Sequence, residues 1–95
     1  MKTANYIEGK LEEFRLSGKT PAWIGVSDVV MRELARDLDY KNVEVEINFQ
    51  LNVLDTRWFV KDFLGLRVIF FTGPEIGSDG VYIQEKNATN DGEYL

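Results

Sequence analysis

The most regular alternation of apolar and polar positions runs from Val43 to Val53, with the sequence V-E-V-E-I-N-F-Q-L-N-V. Every second residue is apolar, and the residues between them are Glu, Asn or Gln. Successive side chains of a strand point to opposite faces, so this pattern predicts one long strand with an apolar face and a polar face. At roughly 3.3 Å per residue the strand would span about 36 Å. We expect it to organise the fold, and its length favours a bend, a bulge or an extension to another chain.

A first helix is predicted for residues 3–16, because apolar residues recur along one side of it. These residues are Ile7, Leu11 and Phe14. Thr3 suits the N-cap, and Gly18 suits the end of the helix. Gly9 in its middle costs about 1 kcal/mol relative to alanine, so the helix depends on packing. We favour a packed first helix over the alternative, an amphipathic arm that binds a partner.

A second helix is predicted from Ser27 or Asp28 to about Leu38, with either of the first two residues as N-cap. Its apolar residues form a wider stripe, and its charged residues lie on the opposite side. The stripe consists of Val30, Met31, Leu34, Ala35 and Leu38. We expect it to pack on the apolar face of the strand at Val43 to Val53.

Three further segments are rich in β-branched and aromatic residues and predict strands. They are residues 22–26, 66–72 and 81–85. Residues 55–64 fit either a short helix between Asp55 and Gly65 or a strand, and the aromatic residues in the segment favour the strand. Residues 73–80, G-P-E-I-G-S-D-G, predict a loop.

This order of elements predicts an α+β fold, in which two helices pack on one face of a mostly antiparallel sheet of four or five strands. A chain of 95 residues is long enough for one domain, which we assign to residues 1–86. Residues 87–95 are polar and acidic, and predict a flexible C-terminal tail.

The charge balance restricts the classes of partner. The chain has 16 acidic and 11 basic residues, which gives a net charge of −5 at pH 7. Binding to nucleic acid without sequence preference requires Lys and Arg to neutralise phosphates, and an anionic membrane requires them too. We therefore predict neither nucleic acid nor membrane as a partner.

The chain has no histidine and no cysteine. Histidine is the commonest general acid or base and the commonest metal ligand near neutral pH, and thiolates are the other common zinc ligands. The sequence therefore predicts a protein that is not an enzyme and has no cofactor or metal. Nothing in it has the length and hydrophobicity of a signal peptide or a membrane span, so we expect a cytoplasmic location.

The segments P-A-W-I-G-V-S-D-V-V-M-R-E-L, F-L-G-L-R-V-I-F-F-T-G-P and V-Y-I-Q-E together resemble a pattern found in small uncharacterised proteins of tailed phages and prophages. The succession of strand, capped helix, G-L-x-V strand, proline-containing loop and closing strand is also similar to part of the major capsid proteins of tailed phages. The resemblance covers roughly residues 21–85 and includes Gly65 and Pro74. It implies a structural or accessory role in a phage and carries over no functional residue.

Two groups of residues are candidates for chemistry. The glycines of residues 73–80 do not have the spacing of a phosphate-binding loop, and Glu75 and Asp79 would repel phosphate, so a hairpin loop is favoured. Glu44 and Glu46 share one face of the predicted strand about 6.6 Å apart, a spacing within the broad range of the paired carboxylates of glycosidases. A solvated polar face explains them better.

Aromatic residues are numerous for so small a core, since each buries on the order of 150 to 250 Å². Six large rings of the predicted strands stand out: Trp23, Trp58, Phe59, Phe63, Phe70 and Phe71. Some of them are therefore expected in a protein interface. The predicted interface residues are Trp58, Phe63, Phe49, Glu44 and Glu46, with packing in the core an equal alternative for Trp58 and Phe63.

Three functions follow from these observations. The first, which we favour, is a structural or assembly protein, related to phage proteins, whose partner is a protein and most simply a second copy of itself. The second is an acidic inhibitor or adaptor that binds a host protein by presenting carboxylates in place of nucleic acid. The third is a hydrolase that uses only carboxylates, with Glu44 and Glu46 as its candidates.

Overall fold

The computed structural model describes residues 2–41, 43–50 and 53–86, with side chains described for all of these except residues 44–50 and 53–58. It has the predicted α+β fold. Its elements are α1 (Lys2–Leu16), β1 (Pro21–Val26), α2 (Asp28–Asp37), β2 (Val43–Gln50), β3 (Val53–Val60), β4 (Asp62–Phe63), β5 (Leu66–Phe70) and β6 (Val81–Glu85). The predicted tail at residues 87–95 lies outside the described residues.

Four strands form the main sheet in the order β4-β5-β1-β6. β1 lies between β5, which is parallel to it, and β6, which is antiparallel to it. β4 and β5 are antiparallel to each other. The one parallel pair is possible because α2 and the following strands connect β1 to β5 over a long crossover. Two of the three pairings are antiparallel, as predicted.

Both helices pack on the same face of this sheet. α1 buries Ala4, Ile7 and Leu11, and α2 buries Val30, Met31, Leu34 and Ala35. α2 begins after Ser27, whose side-chain oxygen accepts a hydrogen bond of 3.3 Å from the backbone N–H of Val30. This is the N-cap that the sequence predicts.

The core lies between the helices and alternate residues of the strands. Ile24 and Val26 of β1 are fully buried, and Val81 and Ile83 of β6 face the same side. Val68 of β5 completes this apolar surface of the sheet. Because side chains alternate along a strand, burying these residues leaves the intervening ones on the other face.

The strand predicted from Val43 to Val53 is wrong in its length and its place. β2 ends at Gln50, and Val53 begins β3, which pairs with β2 from Gln50↔Val53 to Val43↔Val60. The two strands form a separate two-stranded sheet, and β1 occupies the centre of the main sheet instead. Alternation continues from one strand of a hairpin into the next, so the period alone does not show where the first strand ends.

The base of the β2–β3 hairpin packs against the core. Val60 is 1% exposed, and its backbone N–H lies 3.2 Å from the sulfur of Met31 on α2. Val43 and Phe59 are partly buried against the same core. α2 therefore contacts both this hairpin and the main sheet. Whether the helix also covers Ile47 and Phe49 lies outside the described side chains.

Residues 55–64 contain strand and no helix, as the sequence favoured. A short helix at residues 55–64 would have ended at Gly65 as its C-cap, but Gly65 lies in the turn between β4 and β5. Leu64 and Gly65 have φ values of +52° and +79°, as the two central residues of a type I′ hairpin turn require.

Candidate interaction face

The face of the main sheet opposite the helices carries a group of aromatic residues. We define this open face by Trp23, Gly25, Asp62, Arg67, Ile69, Phe71, Tyr82 and Gln84. Strand register places them together: Trp23 is opposite Arg67 and Gln84, and Gly25 is opposite Ile69 and Tyr82. Apart from Gly25, every one of these residues is partly or fully exposed. The residues that α1 and α2 bury lie on the opposite face of the sheet.

Three rings form the centre of the open face. Phe71 and Tyr82 are stacked, with ring centroids 5.1 Å apart and an interplanar angle of 13°. Trp23 lies 5.7 Å from Phe71 and 5.8 Å from Tyr82, tilted against both. Such offset and edge-on pairs contribute about 0.5 to 1.5 kcal/mol each beyond their buried area. The rings therefore form a fixed apolar cluster that is still partly open to solvent.

Gly25 is the residue that lets these rings close over the central strand. A Cβ atom at this position would lie 2.8 Å from Cβ of Phe71 and 3.1 Å from Cζ3 of Trp23. Both distances are shorter than ordinary carbon–carbon contacts, so any larger residue would displace the rings.

The polar groups of the open face balance each other. Asp62 and Arg67 are opposite each other on β4 and β5 and carry opposite charges. The hydroxyl of Tyr82 donates a hydrogen bond of 2.9 Å to Oε1 of Gln84. The open face is thus neutral, although the whole chain has a net charge of −5.

A second polar cluster joins the loop of residues 73–80 to α1. Oδ2 of Asp79 accepts hydrogen bonds from the hydroxyl of Tyr6 at 2.6 Å and from Nζ of Lys10 at 2.5 Å. Oδ1 of the same carboxylate accepts one from the backbone N–H of Val81 at 3.2 Å. Nζ of Lys10 also donates to the carbonyl oxygen of Val81 at 3.2 Å.

These contacts change the pKa of two side chains. Partial burial raises the pKa of the Asp79 carboxyl, but hydrogen bonds from Lys10, Tyr6 and the amide of Val81 outweigh it and lower the pKa from 3.8 to about 2. The hydrogen bond to Asp79 raises the pKa of Tyr6 above 10.0. Asp79 is therefore an ionised anchor for the loop, with its acceptor sites used inside the protein.

Of the five predicted interface residues, the structure describes the side chain of Phe63, which does not lie on the open face. Phe63 is 8% exposed and belongs to the core, which agrees with the packing alternative. Glu44, Glu46 and Phe49 lie on β2 and Trp58 on β3, and their side chains are outside the described ones. Trp23 and Phe71 are among the large rings singled out from the sequence, whereas Tyr82 is not. The alternation in A-W-I-G-V and V-Y-I-Q-E is the signal that places Trp23 and Tyr82 on one face.

Within the part of the chain that the structure describes, no three acidic, histidine or cysteine residues come close enough to hold a metal ion. None of the described helices is both long and apolar enough to cross a membrane.

Comparison with models of protein families found no match, and comparisons with curated proteins and with solved structures found none either. The resemblance to phage proteins therefore stays a hypothesis drawn from the sequence.

Proposed function

We propose that this protein is a non-enzymatic structural or assembly protein that acts through protein–protein contacts and self-associates through its open face. The observation that carries the proposal is the cluster of Trp23, Phe71 and Tyr82 on the sheet face that the helices leave uncovered. Aromatic residues and arginine are enriched in protein interfaces relative to other surfaces.

A second copy of the chain is the partner that this face fits best. In a two-fold dimer the same patch meets itself, so its charges must not repel. The open face meets this condition, because Asp62 and Arg67 offset each other and its centre is apolar. The remaining surface carries the excess of acidic residues, which disfavours contact between copies elsewhere.

The resemblance of residues 21–85 to small phage proteins supports placing this assembly role in a tailed phage. Capsid or tail genes beside the gene for this protein would agree with that placement. A metabolic operon around it would contradict it.

The test is the oligomeric state of two lysine variants. Ile69→Lys places a charge on the open face beside Gly25, whereas Val29→Lys makes a matched change on α2, where Val29 is 55% exposed. Burying an unpaired ammonium group in a dimer interface costs several kcal/mol, so Ile69→Lys should lower the association constant by a factor of about 100 or more.

Light scattering at micromolar concentration measures the outcome. We expect dimers for the unmodified protein and for Val29→Lys, and monomers for Ile69→Lys, with circular dichroism confirming that all three are folded. A monomeric unmodified protein, or equal association of both variants, would contradict the proposal.

A further inference from the structure

The outer edge of β6 carries backbone groups that an additional strand could use. β6 is the last strand of the main sheet, so one of its edges has no neighbouring strand among the described elements. An open strand edge presents a row of N–H and C=O groups, and extended peptides bind proteins by pairing with such a row.

Val81 shows which residues of β6 face this edge. Its N–H donates to Asp79 and its carbonyl accepts from Lys10, so both groups point away from β1. In an antiparallel pair, residues alternate between facing the partner strand and facing outward. Ile83, two residues further along and opposite Ile24 in the pairing with β1, therefore presents its N–H and C=O to the same edge.

A groove of about 420 Å³ runs beside this edge. α1 forms one wall with Lys10, Glu13 and Phe14, and the loop before β6 contributes Glu75 and Gly77. A strand edge alongside a helix provides hydrogen bonds to a peptide backbone on one side and side-chain contacts on the other. The ring of Phe14 supplies an apolar surface within the groove.

The charges around the groove favour a basic occupant. Glu13 and Glu75 are exposed, and among the described residues neither forms an ion pair. The lining cation, Lys10, is bound to Asp79, and Lys19 lies at the ring of Phe14, 5.5 Å from its centroid. The groove is thus lined by two carboxylates, Glu13 and Glu75, and by one ammonium group, Lys10, which Asp79 neutralises. The chain's own residues 87–95 contain no lysine or arginine, so they lack the charge that this groove favours.

From this juxtaposition we infer that the groove between α1 and β6 binds an extended, basic segment of a partner protein by strand addition at Ile83. The backbone of the segment pairs with Ile83, and its lysine or arginine side chains meet Glu13 and Glu75. This site lies at the edge of the sheet and borders the open face at Tyr82, which lines the groove as well.

The experiment uses a capped hexapeptide of alternating lysine and valine, with an alternating glutamate and valine peptide as its counterpart. We expect the basic peptide to bind, to slow hydrogen exchange at the amide of Ile83, and to bind more weakly as salt rises. Equal binding of the acidic peptide, unchanged exchange at Ile83, or no binding at up to about 1 mM would overturn the inference.

Two double variants separate the groove from the general charge of the protein. Glu13→Lys with Glu75→Lys reverses the groove charge, and Glu8→Lys with Glu12→Lys makes the same change on exposed positions of α1 that do not line it. The groove variant should lose at least about tenfold in affinity for the basic peptide, and the control should stay within about threefold. Equal losses in both variants would also overturn the inference.

Discussion

At the scale of single residues, Gly80 shows how closely the loop of residues 73–80 approaches α2. The backbone N–H of Ser27 donates to the carbonyl oxygen of Gly80 at 2.9 Å. Gly80 has a φ of +74°, and a Cβ atom there would lie 2.5 Å from Oγ of Ser27 and 2.8 Å from Cγ2 of Val30. Both the backbone conformation and the space require glycine at this position.

Gly80→Ala should lower the free energy of unfolding by about 2 to 4 kcal/mol, because it adds left-handed backbone strain to a clash with the N-cap of α2. Urea denaturation followed by circular dichroism measures the loss. Gly9→Ala is the matched control, since its added Cβ would meet no atom within 4 Å apart from the neighbouring backbone of α1.

Gly9→Ala should raise the free energy of unfolding by about 1 kcal/mol, because alanine is the better helix former in the middle of α1. If both glycine variants changed the free energy of unfolding in the same direction, the contact between Gly80 and α2 would not explain the effect of Gly80→Ala.

At the scale of elements, one carboxylate joins the loop before β6 to the first helix. Asp79 is bound by Tyr6 and Lys10 of α1 and by the amide of Val81 at the start of β6. The side chains of Lys10 and Asp79 are 32% and 27% exposed, so solvent screens their ion pair only in part.

Asp79→Asn should lower the free energy of unfolding by about 1 kcal/mol at neutral pH, after allowing for the exposure of the ion pair. The pKa of Asp79 is lower in the folded state than its ordinary value of 3.8, so its ionisation stabilises the fold above that pH. This stabilisation is lost as the pH falls from 3.8 towards 2. Urea denaturation across this range should show the difference between variant and unmodified protein shrinking with acid.

Asp39→Asn is the control, because it removes the same charge from an exposed turn where asparagine tolerates the φ of +55°. Its effect should be small at every pH. A difference for Asp79→Asn that persisted at pH 2 would show that ionisation of this carboxylate does not hold the loop.

At the scale of the whole molecule, the fold covers one face of the main sheet with helices and leaves the other uncovered. Val68, Val81 and Ile83 are buried beneath α1 and α2, whereas Trp23 and Tyr82 on the opposite side are partly exposed. Under the proposed self-association, a second molecule would cover this face and add a further layer.

Self-association through the open face predicts a concentration-dependent unfolding temperature, because dimer formation stabilises the folded state by mass action. The midpoint of thermal unfolding should rise over a tenfold increase in concentration for the unmodified protein and stay constant for Ile69→Lys. A midpoint independent of concentration in both would argue against the dimer.

The local pattern of the sequence was sufficient for most of the elements. The apolar stripe of α2, its cap at Ser27 and the β-branched runs at β5 and β6 each depend on neighbours within a few residues, so period and capping identify them. The candidate site was less predictable. Trp23 and Tyr82 are 59 positions apart in the chain, and only the pairing of β1 with β6 brings them together.

Sequence alone determined which segments form helices and strands and that the chain combines both in an α+β fold, because these properties follow from short-range periodicity. Tertiary structure alone decided that Val43–Gln50 and Val53–Val60 are two paired strands, that β1 lies between β5 and β6, and that Phe63 lies in the core. Strand order and register are set by contacts between distant segments, and alternating residues are compatible with more than one partner. The open face exists for the same reason: the sheet places its aromatic residues on the side that the helices do not reach.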